Sequence, residues 1–182
     1  MGTPIEKAIR LAYKAHKGQF RDGEAPLPYI SHPLDVLNNL RYVGRVTDED
    51  VLAAGVLHDT LEETDLHPET IFKELGGRVL DLVIEVTREE PDFTGQGLTD
   101  EEIWHLRSNL LLEEITRMSD DAKRIKLADR ISNLEGAYAT RTGDKLSRYV
   151  KQSEWILERI ERDISPPMWD AIKVLVDLSA RD

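Results

Sequence analysis

The spacing of the apolar residues is the feature that most restricts how this chain can fold. Apolar side chains recur mostly at intervals of three and four residues, as at Ile5, Ile9 and Ala12, and this period is typical of helices with one buried face. No segment shows the two-residue alternation of a convincing strand. The sequence therefore predicts an all-α fold, a bundle of about eight or more helices in which residues 1–182 form a single domain.

Helix-start signals divide the chain into its predicted helices. Thr99, with an acid three residues later, is a capping box, and Ser119 is followed by two acids. Thr47 is predicted to cap a helix that continues to about Leu61. Two segments break the helical pattern with glycines and prolines: a candidate binding loop at 17–31 and a mobile surface loop at 88–98.

The composition excludes several classes of protein and disfavours nucleic acid as a ligand. Acidic residues outnumber basic ones by 35 to 24, and the net charge of −11 argues against binding along a nucleic-acid backbone. Because the chain has no cysteine, a disulfide framework, a cysteine zinc site and a thiolate nucleophile are excluded. No apolar stretch approaches the roughly 20 residues that span a bilayer. These features predict a cytoplasmic protein without a membrane partner, and they allow a small anionic substrate; the oligomeric state is left open.

A histidine–aspartate pair, His58-Asp59, lies near the end of an apolar predicted helix. Taken alone, such a pair is more readily explained as a helix end that interacts with the helix dipole. His32, at the start of an earlier helix, and Asp129, an acid in a mostly apolar run, can complete a set of four. Two imidazoles and two carboxylates suit a divalent metal such as manganese, iron or zinc, with coordination positions left for water.

Two acids follow the histidine–aspartate pair. Glu62 comes four residues after His58 and three after Asp59, so an unbroken helix places it on the same face as both. A carboxylate there can orient or deprotonate a water at the metal. A solvated acidic helix end explains Glu62 and Glu63 equally well.

Two polar side chains lie at helical spacing from Asp129. Lys126 precedes it by three residues and Asn133 follows it by four. Both therefore lie on the Asp129 face of the predicted helix, where they supply a cation and an amide beside the predicted metal.

Four sequence blocks together resemble a known enzyme family. They are 15–21 (AHKGQFR), 28–33 (PYISHP), 58–64 (HDTLEET) and 126–134 (KLADRISNL), and they occur in the family order within roughly residues 5–160. They resemble the HD-type hydrolase domain of the Rel/SpoT alarmone enzymes. Since no synthetase domain follows, the closer resemblance is to a stand-alone small alarmone hydrolase. A bare His-Asp pair is less specific, because it occurs throughout the HD superfamily of metal-dependent phosphohydrolases.

The resemblance implies an all-helical HD domain that binds one manganese ion. The implied reaction is hydrolysis of guanosine tetra- or pentaphosphate (ppGpp or pppGpp), in which a metal-bound water attacks and the 3′-pyrophosphate is released. By resemblance, the metal ligands are His32, His58, Asp59 and Asp129, and the acids near the attacking water are Glu62 and Glu63. The residues predicted to bind the nucleotide are Arg21, Tyr29, Lys126, Asn133 and Arg148.

Three features depart from the family pattern. The second acid is Glu63, where the family usually has aspartate. The loop after Arg21 is longer than usual and has Asp22 where a basic residue is common. Residues 88–92 are acidic, where relatives often carry lysine. Two alternatives therefore stand beside ppGpp hydrolysis. One is an HD-type phosphatase that acts on another nucleotide or on a dinucleotide such as NADPH, and the other is a nucleotide-binding sensor with little turnover.

Overall fold

Helices account for all the regular secondary structure in the residues that the computed structural model describes, 2–88 and 91–179. Ten α-helices follow one another in these ranges: α1 (Pro4–Ala15), α2 (Ser31–Asn38), α3 (Glu49–Leu57), α4 (Thr60–Glu63), α5 (Pro68–Leu75), α6 (Gly77–Val86), α7 (Asp100–Arg117), α8 (Asp120–Thr140), α9 (Gly143–Arg159) and α10 (Pro166–Leu178). A π-helical turn (Asn39–Val43) continues α2, and a 3₁₀ turn (Arg162–Ile164) precedes α10. The predicted all-α fold is confirmed.

Helix α3 lies at the centre of the bundle. Every residue from Val51 to Leu57 is buried, because this segment is apolar on all its faces and no face of it favours water. Helices α1, α2, α6 and α8 pack around it. The residues that follow α3, His58 and Asp59, therefore emerge inside the protein rather than on its surface.

Helix α8 carries charged side chains through the interior. Every residue from Ile125 to Ser132 is buried, including Lys126, Asp129 and Arg130. A buried charge is unfavourable unless other groups or a ligand compensate it. The middle of α8, which packs against α2 and α3, is therefore a place where function rather than stability explains the sequence.

Three of the predicted helix starts can be compared with the structure. The Thr99 and Ser119 side chains both accept a hydrogen bond from a backbone N–H of the first turn, as predicted. The predicted cap at Thr47 is wrong. Asp48 takes that position, and its carboxylate accepts a hydrogen bond of 3.0 Å from the Asp50 N–H, so that α3 begins at Glu49.

The predicted continuation of α3 to about Leu61 is also wrong, because the helix ends at Leu57 and α4 starts afresh at Thr60. Side chains contact the backbone carbonyl groups at the break. His58 Nδ1 lies 2.9 Å from the Gly55 carbonyl oxygen, and Thr60 Oγ1 donates to the Leu57 carbonyl at 2.7 Å. The two residues of the His-Asp pair consequently lie on a turn.

Backbone hydrogen bonds close the candidate binding loop at 17–31. The Arg21 N–H donates to the Leu27 carbonyl and the Tyr29 N–H to the Gln19 carbonyl, each at 2.9 Å. The loop therefore returns to its own start. In the second predicted loop, 91–98 contains no helix or strand, while Glu89 and Glu90 lie outside the described residues. None of the helices described is long and apolar enough to cross a membrane.

We expect Gly55→Ala to lower the free energy of unfolding by about 1–3 kcal/mol, because overpacking a filled core has an effect of this size. A Cβ atom at this position would overlap the fully buried Leu40 side chain. Gly77→Ala is the control, since its Cβ would meet the Phe72 ring at an ordinary 3.6 Å. Urea denaturation of both variants measures the effect. Equal stability of the two would contradict the close packing of α3 on the α2 segment.

Candidate metal centre

Four side chains converge where α2, α3 and α8 meet. The Nε2 atoms of His32 and His58 are 3.2 Å apart. The Asp59 carboxylate lies 2.9 Å from His58 Nε2 and 3.3 Å from His32 Nε2. Asp129 Oδ1 lies 3.3 Å from His32 Nε2 and 3.4 Å from His58 Nε2. The four predicted ligands are thus brought together from segments far apart in the sequence, and the ligand atoms of His32, His58 and Asp59 are all within 4.8 Å of one another.

The hydrogen bonds on the outer side of each imidazole fit a cation on the inner side. The Gly55 carbonyl can only accept, so His58 donates to it through Nδ1, and neutral His58 carries its lone pair on Nε2. His32 Nδ1 lies 2.9 Å from Ser132 Oγ, which can accept in the same way. Two Nε2 lone pairs at 3.2 Å repel unless a proton or a metal ion lies close to both.

The buried charges of the cluster shift one another's pKa values. Burial has the largest single influence on His58 and lowers its pKa, yet Asp59 and Asp129 outweigh it and raise the pKa to about 10. Burial raises the pKa of both carboxylates, but the imidazoles outweigh it and hold these pKa values well below the usual range. Protons therefore bind the metal-free cluster tightly, and a divalent metal must displace them.

Two of the predicted nucleotide-binding residues donate hydrogen bonds to the proposed ligands. The Tyr29 hydroxyl donates to Asp59 Oδ2 at 2.6 Å, and Asn133 Nδ2 donates to Asp129 Oδ1 at 2.5 Å. Burial, followed by the charge of Asp59, raises the pKa of Tyr29, so the phenol stays protonated and remains a donor. Both side chains orient a carboxylate, a role common among residues that surround metal ligands.

A cavity of about 230 Å³ opens beside the cluster and contains cations as well as carboxylates. Its walls include three of the proposed ligands and the basic residues Arg88, Lys126 and Arg130. Lys126 Nζ lies 3.9 Å from Asp129 Oδ2. Burial lowers the pKa of the Arg130 guanidinium. The cavity can therefore accept a small anion next to a metal ion.

The two acids after the His-Asp pair have different surroundings. Glu63 lines the cavity, whereas Glu62 forms an ion pair with Arg88, with Nη2 and Oε1 2.5 Å apart. The unbroken helix on which Glu62 was predicted to share a face with His58 and Asp59 is not present, because α3 ends at Leu57 and α4 begins at Thr60.

Arg21 lines a second cavity, of about 310 Å³, which shares His32, Tyr29 and Glu63 with the first. Its guanidinium forms an ion pair of 2.9 Å with Asp35 and donates to the Ser132 carbonyl at 3.3 Å. The lengthened loop therefore keeps Arg21 near the cluster.

The other loop residue, Asp22, forms a 2.7 Å ion pair with Arg141. The Arg141 guanidinium also lies 4.4 Å from the centre of the Tyr149 ring. Arg141 lines the second cavity, so Asp22 brings a basic residue to it from the end of α8.

Comparison with known proteins assigns the family. The family model described as HD domain matches residues 8–155. The chain belongs to the HD-domain family. A Xenopus tropicalis protein named guanosine-3′,5′-bis(diphosphate) 3′-pyrophosphohydrolase MESH1 is 34% identical over 158 residues, which are 86% of this chain and 83% of that protein. The human protein of the same name is 33% identical over 156 residues, 85% of this chain and 82% of that protein.

A solved structure supports the same assignment. It is described as a metazoan ortholog of SpoT that hydrolyses ppGpp and plays a role in starvation responses. This HD domain matches it with a TM-score of 0.84 at 26% identity, over 98% of this chain and 97% of that one. The alignment therefore covers the bundle and the convergent cluster together.

One predicted nucleotide-binding residue of this HD domain lies elsewhere. Arg148 lines a separate cleft, with its guanidinium 5.5 Å from the centre of the Trp104 ring. Its neighbour Tyr149 lines both cavities beside the cluster. Adjacent side chains on a helix point about 100° apart. A shift of one residue in the comparison with the family pattern is therefore enough to select Arg148 instead of its neighbour.

Sequence reasoning also missed residues that the HD domain brings to the cluster. Ser132 contacts both His32 and Arg21, and it lies three residues after Asp129, a spacing that marks the same helix face. Arg130 also lines the cavity. It belongs to the sequence block 126–134, but the sequence does not show that its side chain is buried.

We expect the affinity of the metal-free protein for a divalent cation to rise about tenfold per pH unit for each proton displaced, between about pH 6 and pH 8. The sign follows from His58, whose pKa of about 10 means that the metal competes with a bound proton throughout this range. Calorimetric titration with Mn²⁺ or Zn²⁺ measures it. His67→Gln, which alters an exposed histidine outside the cluster, should leave the slope unchanged. A pH-independent affinity would contradict the competition.

Proposed function

We propose that this chain is a manganese-dependent hydrolase that removes the 3′-pyrophosphate from guanosine tetra- or pentaphosphate. One observation carries this proposal: a cluster of two histidines and two aspartates opens onto a cavity that also holds three basic side chains. The relatives named above, which are aligned over most of their length, support the choice of nucleotide.

The metal would be held by His32, His58, Asp59 and Asp129. Nitrogen and oxygen donors without sulfur suit manganese, and the outer hydrogen bonds of the imidazoles leave their Nε2 atoms for it. When bound, such an ion lowers the pKa of water and stabilises negative charge on a phosphoryl oxygen.

The chain's own side chains supply proton transfer and charge. We assign Glu63, which lines the cavity, to accept a proton at a carboxylate oxygen from the water that attacks phosphorus. Glu62 holds Arg88 at the cavity wall. Lys126 and Arg21 bind phosphate oxygens. The water oxygen bonds to phosphorus, the bond between the 3′ oxygen and phosphorus breaks, the 3′ oxygen takes up a proton to become a hydroxyl group, and pyrophosphate leaves.

A manganese-supplemented assay with product analysis tests the proposal. With guanosine tetraphosphate we expect equal amounts of pyrophosphate and of the guanosine 5′-diphosphate that remains. NADPH and guanosine pentaphosphate complete the panel, and Asp129→Ala serves as the metal-deficient control. Phosphate release from NADPH alone would establish the phosphatase alternative, and tight nucleotide binding without product would establish the sensor. Replacing Mn²⁺ by Zn²⁺ or Fe²⁺ in the same assay identifies the metal that supports turnover.

Glu63→Gln should lower kcat by about 10²- to 10⁴-fold while the metal content stays at the wild-type level, because the variant loses a proton acceptor and no ligand. Glu62→Gln should lower kcat less, since it loosens Arg88 and leaves Glu63 in place. Metal analysis and steady-state kinetics of both variants separate the two roles. A Glu63→Gln enzyme with wild-type kcat would remove Glu63 from the proton transfer.

Arg21→Lys should lower kcat/KM by about tenfold or more, equivalent to about 1.4 kcal/mol of transition-state stabilisation. The arginine side chain contacts Asp35 and the Ser132 carbonyl through different nitrogens, and an ammonium group cannot reproduce this fork. Arg117→Lys, at an exposed position on α7, is the matched control and should retain wild-type kinetics. If Arg21→Ala were as active as wild type, the loop arginine would have no part in substrate binding.

A further inference from the structure

Arg130 is a buried cation that forms no close ion pair in the described ranges, although the charge of Asp129 attracts it. It follows Asp129 on α8, only 7% of it is exposed, and it lines the cavity beside the cluster. Its Nη2 donates to Gln152 Oε1 at 2.9 Å, and its Nε is buried without a hydrogen-bond partner. Among residues 2–88 and 91–179, no carboxylate oxygen lies within 4.0 Å of the guanidinium.

A guanidinium in this position is suited to an anion that enters the cavity. Removing a cation from water is unfavourable, and the loss is recovered only when a partner of opposite charge approaches it. A planar guanidinium can donate two parallel hydrogen bonds to a phosphate group, and these bonds strengthen where water is excluded. The Nε of Arg130 is a buried donor whose hydrogen-bonding capacity is unused within the protein.

A neutral amide holds this guanidinium in place. Gln152, on α9, accepts from Arg130 through Oε1 and donates through Nε2 to Ser108 Oγ at 3.0 Å. Ser108 is fully buried on α7. The chain of hydrogen bonds from α8 through α9 to α7 orients Arg130 without giving it an ion-pair partner.

We propose that Arg130 binds a phosphate group of the substrate in the cavity beside the cluster, and that Gln152 and Ser108 are its positioning residues. This inference rests on the proposed function only in taking the substrate to be a phosphorylated nucleotide. The chemical group recognised is a phosphate or pyrophosphate dianion, whatever nucleoside carries it.

Binding of inorganic phosphate to the manganese-loaded protein tests the inference without requiring turnover. Arg130→Gln should weaken phosphate binding at least tenfold, and Arg130→Lys should recover part of that loss because it restores the charge. Gln152→Glu, which keeps the size of the side chain, should weaken binding to a similar extent because its carboxylate neutralises Arg130. Arg117→Gln removes one exposed positive charge from α7 and should bind phosphate like the wild type.

A neutral truncation, Gln152→Ala, separates positioning from a general structural effect, because it adds no charge to the cavity wall. Gln152→Ala should weaken phosphate binding in the wild type. If Gln152 acts through Arg130, the double variant Arg130→Gln/Gln152→Ala binds phosphate no more weakly than Arg130→Gln alone, whereas independent effects multiply. Ser108→Ala should weaken phosphate binding in the wild type and have no effect on top of Arg130→Gln. Multiplying losses in either pair would overturn the positioning roles. If Arg130→Gln fails to fold, Arg130→Lys, which keeps the charge and loses the fork of donors, decides the binding role: phosphate affinity equal to that of the wild type would overturn it.

Unchanged phosphate affinity in folded Arg130→Gln and Gln152→Glu proteins would overturn the inference, even if the wild type hydrolyses guanosine tetraphosphate. Conversely, a tenfold loss of phosphate affinity in both variants supports it even if the substrate is another phosphorylated nucleotide. In that case the proposed function fails while the phosphate site stands. In whichever hydrolysis reaction the wild type catalyses, Arg130→Gln should mainly raise KM if the contact forms with bound substrate.

Discussion

The attraction between two buried imidazoles and two carboxylates, one buried and one partly buried, is the interaction on which the site depends. None of the four groups is favourable alone in the interior, because each loses water and must be compensated by the others. Their mutual compensation fixes the relative positions of α2, α3 and α8. It also explains why α3 is apolar on every face: only a fully buried helix delivers His58 and Asp59 to the interior.

The parts of this arrangement that are local in sequence could be predicted from the sequence. The three- and four-residue period gave the helical class, and the four ligands stand in short blocks whose residue types suit a metal. The caps at Thr99 and Ser119 were also predictable, since a cap depends on residues within a single turn. That the four ligands lie close together was inferred from the resemblance, and the distances between their ligand atoms now describe it.

The parts that depend on rotation or on distant partners could not be predicted. Helix α3 ends one turn earlier than predicted, where the His58 and Thr60 side chains contact backbone carbonyls, and Glu63 rather than Glu62 lines the cavity. Arg148 and Tyr149 differ by one residue in sequence and by a helix face in space. Asp22 occupies a loop position that is usually basic, but it forms an ion pair with Arg141, which lies 119 residues away in the sequence.

This acidic protein can bind a polyanion in the two cavities because their basic side chains are not all neutralised to the same degree. Arg21 is paired with Asp35, Arg88 with Glu62 and Arg141 with Asp22, so these three charges are largely offset before a ligand arrives. Lys126 is within 3.9 Å of Asp129. Arg130 is held by an amide instead of a carboxylate, and it is the most deeply buried guanidinium on the cavity wall. The guanidinium without an ion-pair partner therefore lines the same cavity as three of the proposed metal ligands, where it can attract a phosphate.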